Sequence, residues 1–379
     1  MNRNKSRRIA RKVMATLILM ALSPFLYQGV VNGLPYLNAA AYQLAVWSAG
    51  LTLPEGGKEL LTKELTTLKQ DDHSDTQPST IPDSGDLSEP TPNTDSSASN
   101  SRSSEQTVTR PADAGDIIRR QYKGSASSVQ FQISNNAWIK NLTKHTQSEI
   151  MAQISKGPAF RIDKSDVPQV LIMHTHTTES YERQTLDWFD KAFNSRTTDT
   201  QYNVCRVGDE IEKQLKAAGI GVLHDKTLHD YPTFPGCYDR SAVTVKNYLK
   251  QYPSIKVVLD VHRDAIEQKD GTRIAPVANV NGKNAAQVMI ISGCDDGTMG
   301  YPNYFQNLKF AALLQSQLEA DYPGFARPLL FDYRKYNQHL TTGSILLEMG
   351  GHANSMEEVI YAGELLGKSL VNALKSIQS

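Results

Sequence analysis

The chain has 379 residues, 40 of them basic and 40 acidic, and 39 % are hydrophobic. A net charge of zero excludes nucleic-acid binding through bulk electrostatics. Three cysteines, Cys205, Cys237 and Cys294, are too few and too scattered for a disulfide framework or a cysteine-type zinc site, and an odd count leaves at least one thiol without an intramolecular partner.

Taken in chain order, Arg3, Lys5, Arg7, Arg8, Arg11 and Lys12 precede an uncharged stretch, Val13 to Val31. As a helix it spans about 28 Å, close to the thickness of a hydrocarbon core. The basic flank (residues 1–12) sets the N-terminus in the cytoplasm and the rest outside. A retained single-pass anchor is expected rather than a cleaved signal, because the run exceeds the usual h-region of about 7–15 residues. Pro24, Gln28 and the small-residue site Ala39-Ala40-Ala41 are the features that favour cleavage. Residues 32–70 form a mixed juxtamembrane region. Residues 71–113 are dominated by Ser, Thr, Asp, Pro and Asn; such a segment buries too little apolar surface to order itself and reads as a disordered tether. Residues 114–379 are expected to form one globular domain.

Within that domain strand and helix signals alternate. The apolar run 167–173 predicts a buried strand. Residues 204–218 predict a helix with Val207, Ile211 and Leu215 on one face, stopped by Gly219. Further helices are expected over 241–251 and 303–322, and strands over 255–261 and 344–347. Asp270-Gly271 and Asn281-Gly282 mark tight turns, the second joining 274–280 to 285–291 as a hairpin. Ser355 and Glu358 form a capping box for a last helix in which Val359, Ala362, Leu366, Leu370, Ala373 and Ile377 repeat at helical spacing. Residues 114–165 carry no clear assignment. The alternation predicts an α/β fold: a mostly parallel, twisted sheet with helices on both faces.

Three expected strand ends carry polar clusters: His174-Thr175-His176-Thr177-Thr178-Glu179, Asp260-Val261-His262-Arg263-Asp264, and Glu348-Met349-Gly350-Gly351-His352-Ala353-Asn354. Ligand sites of open α/β sheets lie beyond the carboxyl ends of the strands, and neighbouring strands are about 4.8 Å apart, so the three ends can meet at one metal ion. Catalytic zinc takes three protein ligands from His and carboxylate and leaves one position open. His176 and Glu179 supply two donors from one turn, and His262 a third. Glu348, emerging after Ile345-Leu346-Leu347, suits a general base. Taken singly, each feature has a plainer reading. A His-x-x-Glu pair is common by chance, one His after an apolar strand is usually structural, and Glu348 equally suits a salt bridge. The coincidence at three strand ends is what points to a metal.

His174, two residues from His176 and so on the same side of an extended strand, is an alternative ligand, a hydrogen-bonding neighbour or a core histidine; His176 is preferred. Arg263 and Arg240 are candidates for bidentate binding of substrate carboxylates, with a surface salt bridge competing for Arg240. Asp264 is a candidate for orienting His262, and His352 and Asn354 for contacting substrate. His224 and His229 are expected in a solvated loop, His224 within reach of the site. His73, His145 and His339 lack carboxylates at ligand spacing.

The runs HTHTTESY, LDVHRDA and LLEMGGHANSMEE together resemble the stage II sporulation protein P family of spore-forming Firmicutes, over roughly residues 165–379. The resemblance implies a zinc N-acetylmuramoyl-L-alanine amidase, more distantly similar to zinc carboxypeptidases. Such an enzyme cleaves the amide between the muramic acid lactyl group and L-alanine of peptidoglycan, and the family is also credited with cutting stem-peptide cross-links. It implies work in the mother cell during engulfment, in a complex with stage II sporulation proteins D and M. It assigns metal binding to His176, Glu179 and His262 and catalysis to Glu348. One departure stands out. Amidases of the wider class place a metal-binding Glu at the start of the following helix, near Asn203-Val204 here, where no acid stands. Glu179 is preferred for that role, with Glu210 and Glu212 as alternatives. Two rival readings are a zinc peptidase acting only within stem peptides and a non-catalytic, membrane-tethered wall-binding scaffold.

Overall fold

The computed structural model describes residues 109–379. The expected cytoplasmic tail, the membrane anchor over 13–31, the juxtamembrane region and the tether up to residue 108 lie outside the described residues. Among the described residues no helix is long and apolar enough to cross a membrane.

The fold is mixed α/β. The strands are Gly115–Arg120 (β1), Gln130–Gln132 (β2), Trp138–Asn141 (β3), Val170–Met173 (β4), Trp188–Phe189 (β5), Val222–His224 (β6), Val257–Asp264 (β7), Arg273–Val280 (β8), Lys283–Ala286 (β9), Val288–Cys294 (β10), Leu329–Tyr333 (β11) and Gly343–Gly351 (β12). The α-helices are Gln147–Ile154 (α1), Val204–Ala217 (α2), Cys237–Gln251 (α3), Tyr304–Asp321 (α4) and Met356–Ser376 (α5). Eight strands form the main sheet in the order β2-β3-β11-β10-β12-β7-β4-β6. Neighbours are parallel except for β2–β3 and β10–β12. A second sheet of four strands runs β5-β1-β8-β9.

Each helix forms for a local reason and buries one face. Asn203 caps α2 by accepting the Cys205 amide at 2.9 Å, and Val204, Val207, Ile211 and Leu215 recur every three or four residues and are wholly buried. Ser355 and Glu358 cap α5 reciprocally. These two helices, with α1 and α4, cover the face of the main sheet that carries Val170, Ile172, Val257, Leu259, Val261, Ile345 and Leu347. On the opposite face α3 alone lies over β4 and β7, through Val245 against Leu171, Met173 and Val258. Helices therefore do cover both faces, but unevenly. The thinly covered face is the one on which, by the two-residue period of a strand, Asp260, His262 and Glu348 stand.

Two expectations need correction. The hairpin turn is at Asn281-Gly282, both with positive φ, as a two-residue hairpin loop requires. The strand after it is not continuous to 291, however: it breaks at Gln287 and passes from the small sheet (β9) to the main sheet (β10). The Gln287 side chain explains the break, because it accepts the Tyr122 amide at 2.6 Å and donates to the Tyr122 and Gly324 carbonyls at 2.8 and 2.9 Å. Likewise β4 stops at Met173, and residues 175–178 form a turn. The strand alternation that would place His174 and His176 on one side ends before it reaches them.

Candidate active site

The site is assembled at the carboxyl ends of β4, β7 and β12. After β4 the chain turns tightly, with the Glu179 amide donating to the His176 carbonyl at 3.1 Å, and this turn brings both side chains to the same point. Glu179 reaches them with both oxygens: Oε1 is 3.3 Å from His176 Nδ1 and Oε2 is 3.6 Å from His262 Nδ1. One donor atom from each of His176, Glu179 and His262 lies within 4.8 Å of the others. Zinc bonds of about 2.1 Å in a tetrahedron set neighbouring donors about 3.4 Å apart, so the trio has the spacing and the donor types of a zinc site. His176 Nε2 is buried without a hydrogen bond, which leaves this ring without the two partners a structural histidine normally has.

Charge at the cluster is arranged from β7. Asp260 Oδ1 lies 2.7 Å from His262 Nε2, at an angle poorer than that of a good hydrogen bond, and Thr175 fixes Asp260 through its amide and hydroxyl at 2.8 and 2.7 Å. Burial alone would lower the His262 pKa, but the Asp260 charge, with Glu179 and Glu348 behind it, raises it to about 9. Burial would raise Glu179, yet His176, Arg263 and His262 outweigh it and hold the carboxyl well below its ordinary range. The Arg263 amide also donates to Glu179 Oε2 at 3.0 Å. The setting thus favours a deprotonated carboxylate at Glu179.

Glu348 stands directly opposite His262 across the β12–β7 ladder. Its Oε2 is buried with no hydrogen-bond partner. Burial, reinforced by the Asp264 charge, raises its pKa to about 8. An orphaned carboxyl oxygen in a low-dielectric site is costly.

His174 goes elsewhere. It is wholly buried, its Nδ1 bonds the Val261 carbonyl at 2.9 Å, and its Nε2 meets His224 Nε2 at 2.8 Å. Burial and the neighbouring His224 push its pKa down to about 3. Of the alternatives for this residue, the geometry selects the hydrogen-bonded core histidine.

A sequence profile described as stage II sporulation protein P matches residues 57–370. The chain belongs to the stage II sporulation protein P family. A stage II sporulation protein P of Bacillus subtilis (strain 168) is 32 % identical over 205 residues, 51 % of this chain and 48 % of that one, so the chain spans about half the length of the curated relative it matches. Among solved structures, N-acetylmuramoyl-L-alanine amidase AmiC2 of Nostoc punctiforme aligns at TM-score 0.34 and 9 % identity, over 56 % of this chain and 97 % of that one. An N-acetylmuramoyl-L-alanine amidase from Clostridium difficile 630 aligns at TM-score 0.33 and 15 % identity, over 56 % and 97 %. All three clusters of the site fall inside the residues that match the family.

Several residues expected at the site of this family member are occupied otherwise. Arg263 spends its guanidinium on the backbone, donating to the Ser180 carbonyl at 2.7 Å and the Ser195 carbonyl at 2.8 Å; it ties the 180–195 segment to β7 and is not free for substrate. Arg240 donates to the carbonyls of His229, Pro235 and Thr233 and holds that loop. Asp264 pairs with Arg327 at 2.8 Å, and it is Asp260 that approaches His262. Asn354 accepts the Gly351 amide at 2.8 Å and donates to Glu358 at 2.9 Å, so it shapes the entry to α5. His352 is buried, with Nδ1 lacking a partner, and burial together with Arg263 and Arg273 keeps its pKa well below the ordinary value. Of the alternative carboxylates, Glu210 pairs with Arg206 and Lys213, and Glu212 with Lys216 and His224.

Two features went unread in the sequence. Asp260 was discoverable, being two residues before His262 on a strand and so on its face. The wall beside His176 was not: Phe234 and Tyr238 have ring centroids 4.8 and 5.5 Å from His176, and Arg196 lies over Phe234 with its Nη2 3.7 Å from Glu179 Oε1. No local pattern foretells which loops fold over a strand end.

Proposed function

We propose that the chain is a zinc-dependent peptidoglycan hydrolase. In this reading it cleaves the amide between N-acetylmuramic acid and the L-alanine of the stem peptide, and also stem-peptide cross-links, during engulfment in sporulation. His176, Glu179 and His262 hold the ion. A zinc ion supplies Lewis acidity and makes water acidic enough to attack at neutral pH. Asp260 orients the His262 ring through Nε2 and strengthens Nδ1 as a donor. Glu348 takes the proton of the attacking water and returns it to the leaving amine; a carboxyl whose pKa is raised toward neutrality is matched to both halves of that transfer. Phe234 and Tyr238 form an apolar wall beside His176. The N-terminal segment over 13–31 anchors the protein in the cell membrane with the catalytic domain outside the cytoplasm, and stage II sporulation proteins D and M are its partners.

The observation that carries this reading is Glu348 Oε2, buried and unpartnered opposite His262. The test compares full-length wild type with Glu348→Gln for zinc content and for the products of peptidoglycan digestion by mass spectrometry. The expected result is about one zinc at this site in both proteins, free lactyl groups and new L-alanine termini with wild type, and none with the variant. New termini only within the stem peptides would replace amidase by peptidase. Turnover by the variant close to that of wild type would remove Glu348 from the mechanism, and an inactive, glycan-binding wild type would favour the scaffold.

A further inference from the structure

On the far side of His174 lies another cluster of donors. Asp209 and Glu212 are half-buried on α2, and His224 ends β6. The hydrogen bonds of this region determine which nitrogens carry protons. A carbonyl only accepts, so the 2.9 Å contact from His174 Nδ1 to Val261 places a hydrogen on Nδ1. The ring is wholly buried and its Nε2 then offers a lone pair. The 2.8 Å contact between the two Nε2 atoms requires His224 to donate from Nε2. In a neutral imidazole the remaining nitrogen, His224 Nδ1, is therefore an acceptor. That nitrogen faces two more acceptors, Asp209 Oδ1 at 3.1 Å and Glu212 Oε2 at 3.7 Å.

Three lone-pair donors facing one another repel unless a proton or a cation lies among them. The His224 side chain is only 2 % exposed, and its Nδ1 makes no hydrogen bond of acceptable geometry. One donor atom from each of Asp209, Glu212 and His224 lies within 4.8 Å of the others. The approach is built into the helix. A Cβ at Gly208 would sit 2.5 Å from His224 Nε2 and 3.1 Å from His174 Cε1, so the absence of a side chain there is what lets α2 close on the two rings.

We propose that Asp209, Glu212 and His224 form a second divalent-cation site, distinct from the one at His176, that takes an ion of the zinc class and fastens α2 to β6. One imidazole and two carboxylates form a donor set that such ions accept. Lys226 Nζ is 2.5 Å from Asp209 Oδ1 and Lys216 Nζ is 2.7 Å from Glu212 Oε1. Both ammonium groups are on partly exposed, flexible stems, and they compete with an ion for the carboxylates. A protonated His224 paired with Asp209 is the alternative way to relieve the contact, and it predicts no metal.

The test is equilibrium dialysis of the full-length protein against buffered free zinc, with bound metal counted by mass spectrometry. Asp209→Asn with Glu212→Gln should bind one ion fewer than wild type, with an unchanged circular dichroism spectrum. Lys226→Ala should bind the same ion roughly threefold more tightly, as expected for removing one partly exposed competing charge. Equal stoichiometry in wild type and the double variant, or an unchanged affinity in Lys226→Ala, would overturn the site in favour of the protonated histidine. If the double variant does not fold, the Lys226→Ala affinity decides. His176→Ala, dialysed in parallel, keeps the two readings apart: it removes a different ion if the proposed active site is correct, and its failure to do so leaves the Asp209 result standing.

Discussion

His174 and His176 are separated by one residue, yet they have opposite fates. His174 is buried with both nitrogens engaged, one by a carbonyl of β7 and one by His224. His176 sits in the following turn, beside Glu179, with Nε2 unpartnered and two aromatic rings close by. Residue type and position near a strand end are the same for both. The difference lies in unspent hydrogen-bonding capacity: a histidine whose two nitrogens are already paired braces the fold, and one with a nitrogen to spare, next to other unsatisfied donors, has room for a ligand.

Substitution of each histidine is the sharpest way to break that contrast. His176→Ala should remove the proposed ion and lower peptidoglycan hydrolysis by on the order of 10³ or more, with thermal unfolding of the metal-free protein little changed; metal analysis and product release check both halves. His174→Ala should do the reverse. It leaves His224 Nε2 without its partner and takes one hydrogen bond from the Val261 carbonyl in a buried setting, so a loss of about 2–4 kcal/mol is expected in denaturant unfolding, while the proposed ion at His176 and hydrolysis persist. If His174→Ala lost the active-site ion as completely as His176→Ala, the division of roles would fail.

A smaller effect is expected one contact farther out. Asp260→Asn keeps the shape but removes the charge facing His262 Nε2, and zinc affinity should fall by about 10- to 100-fold, measured by competition with a chelator. The smallest concerns a second raised carboxyl, Glu182, whose pKa burial lifts to about 7 against the pull of Arg273. Below about pH 4.5 the carboxyl is protonated in folded and unfolded chains alike, and its contribution to stability is fully present. As pH rises toward 7 the unfolded chain ionises first, so that contribution is lost through the window from about 4.5 to 7. Glu182→Gln should therefore match wild type near pH 4 and exceed it by about 1 kcal/mol at pH 8. A difference that does not change with pH would mean that Glu182 is not held protonated by the fold. Glu348 then differs from it in kind: both carboxyls are raised by burial, but only Glu348 faces a cluster of metal-type donors.

Much of the main sheet was legible because its central strands are short apolar runs and its helices carry their own start and stop signals. The three polar clusters were legible for the same reason: an apolar run that ends abruptly in His, Asp or Glu marks the carboxyl edge of a parallel sheet. Residues 114–165 were opaque because β1, β2 and β3 are strands of only three to six residues, too short for a period to register. Arg263 and Arg240 were misread because a guanidinium serves backbone carbonyls as readily as a substrate carboxylate. Only the folded loops at 180–195 and 229–236 reveal which it does.

The ladder around Glu348 also constrains how this sequence can change. Ser344, Leu346 and Glu348 alternate along β12 with Ile345, Leu347 and Met349, which face the main core. Losing or gaining one residue between Gly343 and Glu348 would exchange the two sets, putting a leucine opposite His262 and a carboxylate into the core. The register shifts only after Glu348, before Gly351, at an irregularity in the strand where Gly350 has φ +72° and a Cβ would meet Ala286 and Asn354 at 2.7 Å. Insertions and deletions in descendants of this sequence should therefore accumulate in the loops on either side of β12 and be absent from the six residues that carry Glu348 to the edge of the sheet.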